Sequence, residues 1–241
     1  MPRKSLFAIA LCCLASSAFA DAPVAQLPYT QLLGYQQRVD ELQDLKQLKV
    51  WENVKSSRHG VKPSDITLTI MRDAAHGGPL AIAVDGGGNF TLPVTQALKD
   101  EDALVVSNQP KGTLELSVNW EISLPASTDL RYSQLMSGAQ QYNEAMRRQG
   151  VTASMLAPKA TGLLLVYPDG GHRVTLHTAA GDKVITSKSY KELGDAVKGI
   201  DMSGMPASTT MIHLPLDKAL LKQDPAVTLD AMPEALSASY D

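Results

Sequence analysis

The chain has 241 residues, 22 basic against 25 acidic, and two cysteines. That length holds one large core or two modest ones. The slight acidity, with no basic stripe beyond residue 20, argues against nucleic acid and anionic membrane surfaces as partners.

The first segment carries Arg3 and Lys4, then an apolar run over 6–14, then Ser16-Ser17-Ala18-Phe19-Ala20 in a small-x-small ending before Asp21. This is the layout of a cleavable secretory signal at 1–20, cut after Ala20. The run is far short of the ~20 apolar residues a membrane-spanning helix needs. Cys12 and Cys13 both lie inside it, and neither follows the small residue that lipoprotein processing requires. The expected mature chain has 221 residues, a net charge of −5 and no cysteine, so no disulfide and no thiolate nucleophile. Export to the bacterial periplasm or to the medium follows. No later apolar run is long enough to span a bilayer as a helix.

After the signal, 29–55 reads as an amphipathic helix, with Leu32, Val39, Leu42, Leu45 and Leu48 at helical spacing and Gly60 and Pro63 beyond its end. Strands follow. Ile66, Leu68 and Ile70 alternate with Thr67 and Thr69, and Leu80, Ile82 and Val84 alternate with small residues. Asp85-Gly86-Gly87-Gly88-Asn89 reads as a turn, 90–92 re-enters a sheet, and 104–106 is another strand. The clearest alternation is at 113–124, where Leu114, Leu116, Val118, Trp120, Ile122 and Leu124 place one face inward. Trp120 is thereby expected in the core. The stretch 125–129 reads as a linker. A second helix is expected from Tyr132 to about Gln149, stopped by Gly150. Strands at 162–167, 173–178 and 183–187 come next, with a turn at Pro168-Asp169-Gly170-Gly171 and a helical patch at 190–197.

Two pairs of segments echo one another in the same order. Leu27-Pro28-Tyr29-Thr30-Gln31-Leu32 resembles Leu130-Arg131-Tyr132-Ser133-Gln134-Leu135. FTLPVTQALKDEDALV at 90–105 aligns without gaps with IHLPLDKALLKQDPAV at 212–227. The expected architecture is α+β and β-rich, with two diverged repeats, each an amphipathic helix followed by antiparallel strands in a sandwich-like arrangement. The expected division is 1–20 signal, 21–125 first repeat and 126–241 second repeat. Pro93 and Pro215 should end their strands at an edge, because proline cannot donate to a ladder. These segments hold no nucleophile, acid–base pair or metal set, so they describe architecture.

No Gly-x-Ser-x-Gly elbow, His-Glu-x-x-His or phosphate loop occurs. Gly86-Gly87-Gly88 precedes a strand and lacks the helix N-terminus that binds phosphate. No cofactor is implied. Among His59, His76, His172, His177 and His213, the pair His172 and His177 with Asp169 and Asp182 forms the candidate metal set, since imidazole and carboxylate are zinc ligands. Five residues apart on an extended chain, the two histidines fall on opposite faces. Acidic residues at 100–102 read as a solvated cap. Trp51, near the end of the first expected helix, is either a core cap or a presented side chain.

PLAIAVDGGGNFTLP with ALVVSNQPKG, and LAPKATGLLLVYPDG, resemble signal-bearing bacterial periplasmic proteins of unknown function. The resemblance implies an exported protein of mixed helix and sheet and carries over no site residue. The first functional expectation is a non-enzymatic binding or protein-interaction module of the cell envelope, engaging an envelope protein or polymer through its sheet edges or the groove between its halves. The alternative is a hydrolase or metal-dependent enzyme of unfamiliar type. Oligomeric state has no signature in the sequence.

Overall fold

The computed structural model describes residues 23–100, 103–149, 158–197 and 205–240. The segment 1–20 read as a signal, with Cys12 and Cys13, the acidic pair at 101–102 and Gly150, read as a helix stop, lie outside them. The fold is α+β and strand-rich, with antiparallel sheets. The chain divides into two compact units. One comprises 23–43 with Val50–Trp120, and the other Asp44–Lys49 with 121–240. No helix among the described residues is long and apolar enough to cross a membrane.

In the first unit, β1 (Val24–Pro28) leads into α1 (Tyr29–Asp40), and the chain then returns through β2 (Leu48–Ser56). The helix expected to reach residue 55 therefore ends fifteen residues early. Leu42 and Leu45 are buried in the turn, at 3% and 7% exposure. The stretch from Leu48 contains Val50, Trp51 and Val54, residues that suit a pleated, half-buried surface, and pairing of Glu52 and Asn53 with Phe90 and Asn89 overrides the helical spacing. β3 (Leu68–Met71), β4 (Leu80–Ile82) and β6 (Leu104–Pro110) complete a sheet in the order β1-β6-β3-β4. β5 (Asn89–Phe90) pairs with β2, and β7 (Leu114–Ile122) lies on its other side. A short helix, α2 (Gln96–Asp100), follows Pro93. Tyr29, Leu32, Val54, Leu68, Ile70, Phe90, Leu98 and Val105 form the core of this unit.

The turn at Asp85–Asn89 is built as expected. Asp85 accepts hydrogen bonds from the Gly87 and Asn89 amides, both at 2.8 Å. Gly88 has φ of +84°, and a Cβ there would collide with the Val54 carbonyl, so glycine is required on both counts. β7 departs from clean alternation. Asn119 is buried and Trp120, expected inside, is only half-buried.

In the second unit, β8 (Asp129–Arg131) leads into α3 (Tyr132–Arg148), which lies over β9 (Ala160–Tyr167) and β15 (Ala235–Tyr240). β9 is buried along nearly its whole length, on both faces. Leu164 and Val166 pack on Met211 and Val197, while Leu163, Leu165 and Tyr167 point the other way. β12 (Lys188–Ser189) and β13 (Thr210–Pro215) continue this sheet in the order β12-β13-β9-β15, with α4 (Tyr190–Leu193) between them in sequence. Leu236 of β15 pairs with Ile122 at the end of β7. Gly138 of α3 has no room for a Cβ because the Ile122 side chain occupies the place. Arg148 holds both carboxylate oxygens of Asp44, at 2.6 and 2.9 Å, and Gln141 accepts the Gln47 amide, which ties Asp44–Lys49 to α3.

The second sheet of this unit has the order β8-β14-β10-β11, from β10 (Arg173–Thr178), β11 (Gly181–Thr186) and β14 (Ala226–Leu229). It matches β1-β6-β3-β4 of the first unit strand for strand. Pro28 faces Leu104 and Leu104 faces Met71, just as Arg131 faces Ala226 and Ala226 faces His177. The echoed segments occupy matching places. The Tyr29 amide donates to the Ala103 carbonyl and its hydroxyl to the Pro93 carbonyl; the Tyr132 amide donates to Pro225 and its hydroxyl to Pro215. Pro215 ends β13 beyond the reach of β12, which pairs only with Thr210 and Met211, so the strand stops where its outer side is an edge. α5 (Lys218–Gln223) then follows, capped at its start by the Asp217 carboxylate.

Candidate functional site

The β10–β11 hairpin gathers the polar side chains singled out in the sequence. Ala179-Ala180 makes its two-residue turn, with Gly181 at φ of +113° and the Thr178 hydroxyl donating to the Gly181 carbonyl at 2.7 Å. The register pairs Arg173 with Thr186, Thr175 with Val184, Leu176 with Lys183 and His177 with Asp182.

That register fixes which backbone groups of β11 point away from β10. The Ser187 amide donates to the His172 carbonyl at 2.8 Å, so residue 187 belongs to a hydrogen-bonded pair. Such pairs alternate along an antiparallel ladder. Gly181, Lys183 and Ile185 therefore point their amides and carbonyls at β10, and Asp182, Val184 and Thr186 point theirs away from it. β11 is the last strand of its sheet, and its residues are exposed except for Ile185. Val184 is the most open large apolar side chain among the described residues, at 54% exposure. Asp182, Val184 and Thr186 also share the outer face of the sheet. Lys183 lies opposite Leu176, which is 1% exposed, and so stands on the core-facing side.

The four candidate metal ligands form two separate pairs. His177 Nδ1 lies 2.8 Å from Asp182, and its Nε2 lies 3.2 Å from the Thr228 hydroxyl, which donates to Asp129 at 2.9 Å. This polar row crosses the outer face from β11 to β8. His172 Nε2 lies 2.7 Å from Asp169 and Nδ1 lies 3.4 Å from Asp230, with the ring stacked on Tyr167 at 4.3 Å. The Asp169 carboxylate raises the pKa of His172 against the opposing effect of partial burial. Burial pushes the Tyr167 hydroxyl up to about 12. The two histidines stand at opposite ends of β10, about 17 Å apart at 3.3 Å per residue. The carboxylates around His172 flank opposite edges of its ring, so they cannot converge on one ion. Among the described residues no group of three histidines, cysteines or carboxylates is arranged to hold a metal.

Two buried polar constellations had no signal in the sequence. Glu52 of β2 is 2% exposed, and its Oε1 has no hydrogen-bond partner among the described residues. Burial raises its carboxyl to about 7, opposed by a hydrogen bond from the Leu92 amide and assisted by the charge of Asp40. Gln36 of α1 accepts the same Leu92 amide at 3.3 Å and donates to Asp40 at 2.9 Å. In the second unit the residue facing Ile212, as Glu52 faces Phe90, is Leu165. Glu52 thus sits where the matching strand carries a hydrocarbon. Reading 29–55 as helix hid it.

The other constellation is a serine–histidine contact. His213 Nε2 on β13 lies 3.0 Å from Ser239 Oγ on β15, reaching over Gly162 of the intervening β9. A side chain at Gly162 would occupy that path. The spacing suits proton transfer, but Ser239 is 1% exposed, on a strand paired along its length with β9. The contact fastens three strands together.

No protein-family model, curated protein or solved structure matches the chain.

Proposed function

We propose that the protein is an exported, non-enzymatic interaction module of the bacterial cell envelope, and that it takes an extended segment of a partner protein as an added strand at the free edge of β11. The observation that carries this reading is the row of outward-facing backbone groups at Asp182, Val184 and Thr186 on an exposed terminal strand. Main-chain hydrogen bonds of this kind supply affinity in strand addition, and alternate side chains supply specificity. Export rests on the layout of the first twenty residues. The shared strand order and register of the two units support descent from one duplicated element. In that account the first unit keeps a short edge, β4, and the second presents the longer β11.

The test is site-specific photo-crosslinking in cells producing the exported chain. A crosslinker replaces Thr186, and a control crosslinker replaces Glu115 on β7. The expected result is a discrete adduct from position 186 on protein recovered with Asp21 at its N-terminus. Val184→Pro should abolish it without altering secondary structure, because the amide it removes points off the sheet. An adduct that survives Val184→Pro, or equal labelling from position 115, refutes the reading.

A further inference from the structure

Resting on that reading of β11, we infer that the strand accepted at this edge belongs to a different protein, and that it carries a carboxylate where it faces Lys183 and a β-branched apolar residue where it faces Val184. Lys183 decides the matter. It stands on the core-facing side of an edge strand, opposite buried Leu176. An inward-pointing charge on an edge is a device that rejects indiscriminate strand pairing. Any strand laid along β11 brings one residue directly opposite Lys183, with Cβ atoms about 5 Å apart. A carboxylate there neutralises the ammonium; an apolar residue leaves it without a counter-charge beside the core; a second lysine repels it.

A second copy of β11 fails this condition in both registers that span the edge. Antiparallel pairing centred on Val184 sets Lys183 against Ile185 of the second copy and Asp182 against Thr186. Moving the register to centre on Lys183 sets lysine against lysine. Val184 supplies the attractive part. It projects from the outer face between Asp182 and Thr186, and a β-branched partner would cover the most exposed large apolar side chain described.

The experiment uses the mature chain and two fluorescein-labelled strand peptides, Thr-Val-Val-Glu-Thr and Thr-Val-Val-Lys-Thr, with fluorescence anisotropy as the readout at low salt. The glutamate peptide should bind about fivefold more tightly than the lysine peptide, from the difference between opposite and like charges in a cross-strand pair. Lys183→Glu should reverse the order. Added salt should shrink the preference. Val184→Pro should abolish binding of both. If Val184→Pro abolishes binding while neither charge change alters the ranking, the partner chemistry is overturned and the edge reading stands. If neither peptide binds the wild type, or Val184→Pro binds both normally, the edge reading falls and this inference with it. If sedimentation reveals a dimer that Val184→Pro dissociates, the occupant is a second copy and the foreign strand is overturned.

Discussion

Glu52→Gln should change how the stability of the first unit depends on pH far more than it changes stability at any one pH. The carboxyl is raised from its ordinary 4.5 to about 7, with burial as the main cause. The folded chain therefore binds this proton more tightly than the unfolded chain does. The associated stability is fully present below pH 4.5 and is lost as pH rises through about 7, where the buried group must ionise with one oxygen unpaired. Each pKa unit corresponds to about 1.4 kcal/mol, so the swing across this window is about 3 kcal/mol. Asp40 cannot supply relief, since its charge acts in the same direction, and the Leu92 amide already sits in the raised value as an opposing influence. Glutamine keeps the size and an oxygen for that amide but cannot ionise.

Urea unfolding at pH 5 and pH 8 should show wild type losing about 3 kcal/mol more than Glu52→Gln between the two. Fluorescence of Trp51, the preceding residue on β2, reports locally. Titration of the other carboxylates and histidines is common to both proteins and cancels in the difference. Glu52→Leu, which installs what Leu165 provides at the matching position, should unfold at higher urea than wild type at pH 8. Parallel pH curves for wild type and Glu52→Gln would show that the carboxyl is solvated and ionised at neutral pH, and the burial argument would be wrong.

Two further outcomes follow from the second unit. Gly162→Ala should destabilise by about 1–3 kcal/mol in urea unfolding, since the added methyl meets Ser239 Oγ at 2.8 Å and His213 Nε2 at 3.0 Å as well as the Leu214 carbonyl, and backbone cannot step aside; a neutral result would mean β13 and β9 shift freely. For His172, whose raised pKa comes chiefly from Asp169, with Asp230 beside the ring and Arg173 next to it, the extra stability is full below about 6.5 and is lost as pH rises through the folded value. The advantage of wild type over His172→Gln in thermal melts should accordingly shrink from pH 5.5 to pH 8.5; an advantage that grows with pH would contradict the assignment.

Periodicity served well wherever one face of an element meets the core and the other meets water. Leu68 and Ile70 and the helix from Tyr132 were legible on that basis. It failed where burial is two-sided or the element is short. Leu42 and Leu45 keep helical spacing with Leu32 and Val39, yet they lie buried in the chain after α1, and spacing alone cannot separate a buried turn from another helical coil. Asn119 and Trp120 exchange their expected exposure because β7 has no wholly solvated face. The histidine pairs were half legible: Asp169 and Asp182 were named beside His172 and His177, but the further partners Asp230 and Thr228 come from the loop after β14 and from β14, more than fifty residues downstream. Glu52 gave no sign at all, because a buried acid and a solvated acid are the same letter.

The echoed segments show why a sequence can describe a scaffold more fully than a site. Tyr29 and Tyr132 each join the start of a helix to two distant points on the chain, one at a proline and one just before a strand, donating backbone amide and side-chain hydroxyl alike to carbonyls 64 to 93 residues away. Such a joint needs one tyrosine and two carbonyls, one of them a proline's, and each hydroxyl is held to its acceptor because a buried hydroxyl left without one costs about 1–3 kcal/mol. The outer face carries no such constraint. The row that is Pro28, Leu104 and Met71 in the first unit is Arg131, Ala226 and His177 in the second, at identical register. Surfaces are where the two units part company, and the edge strand next to that row, short in β4 and long in β11, is where the proposed function lies.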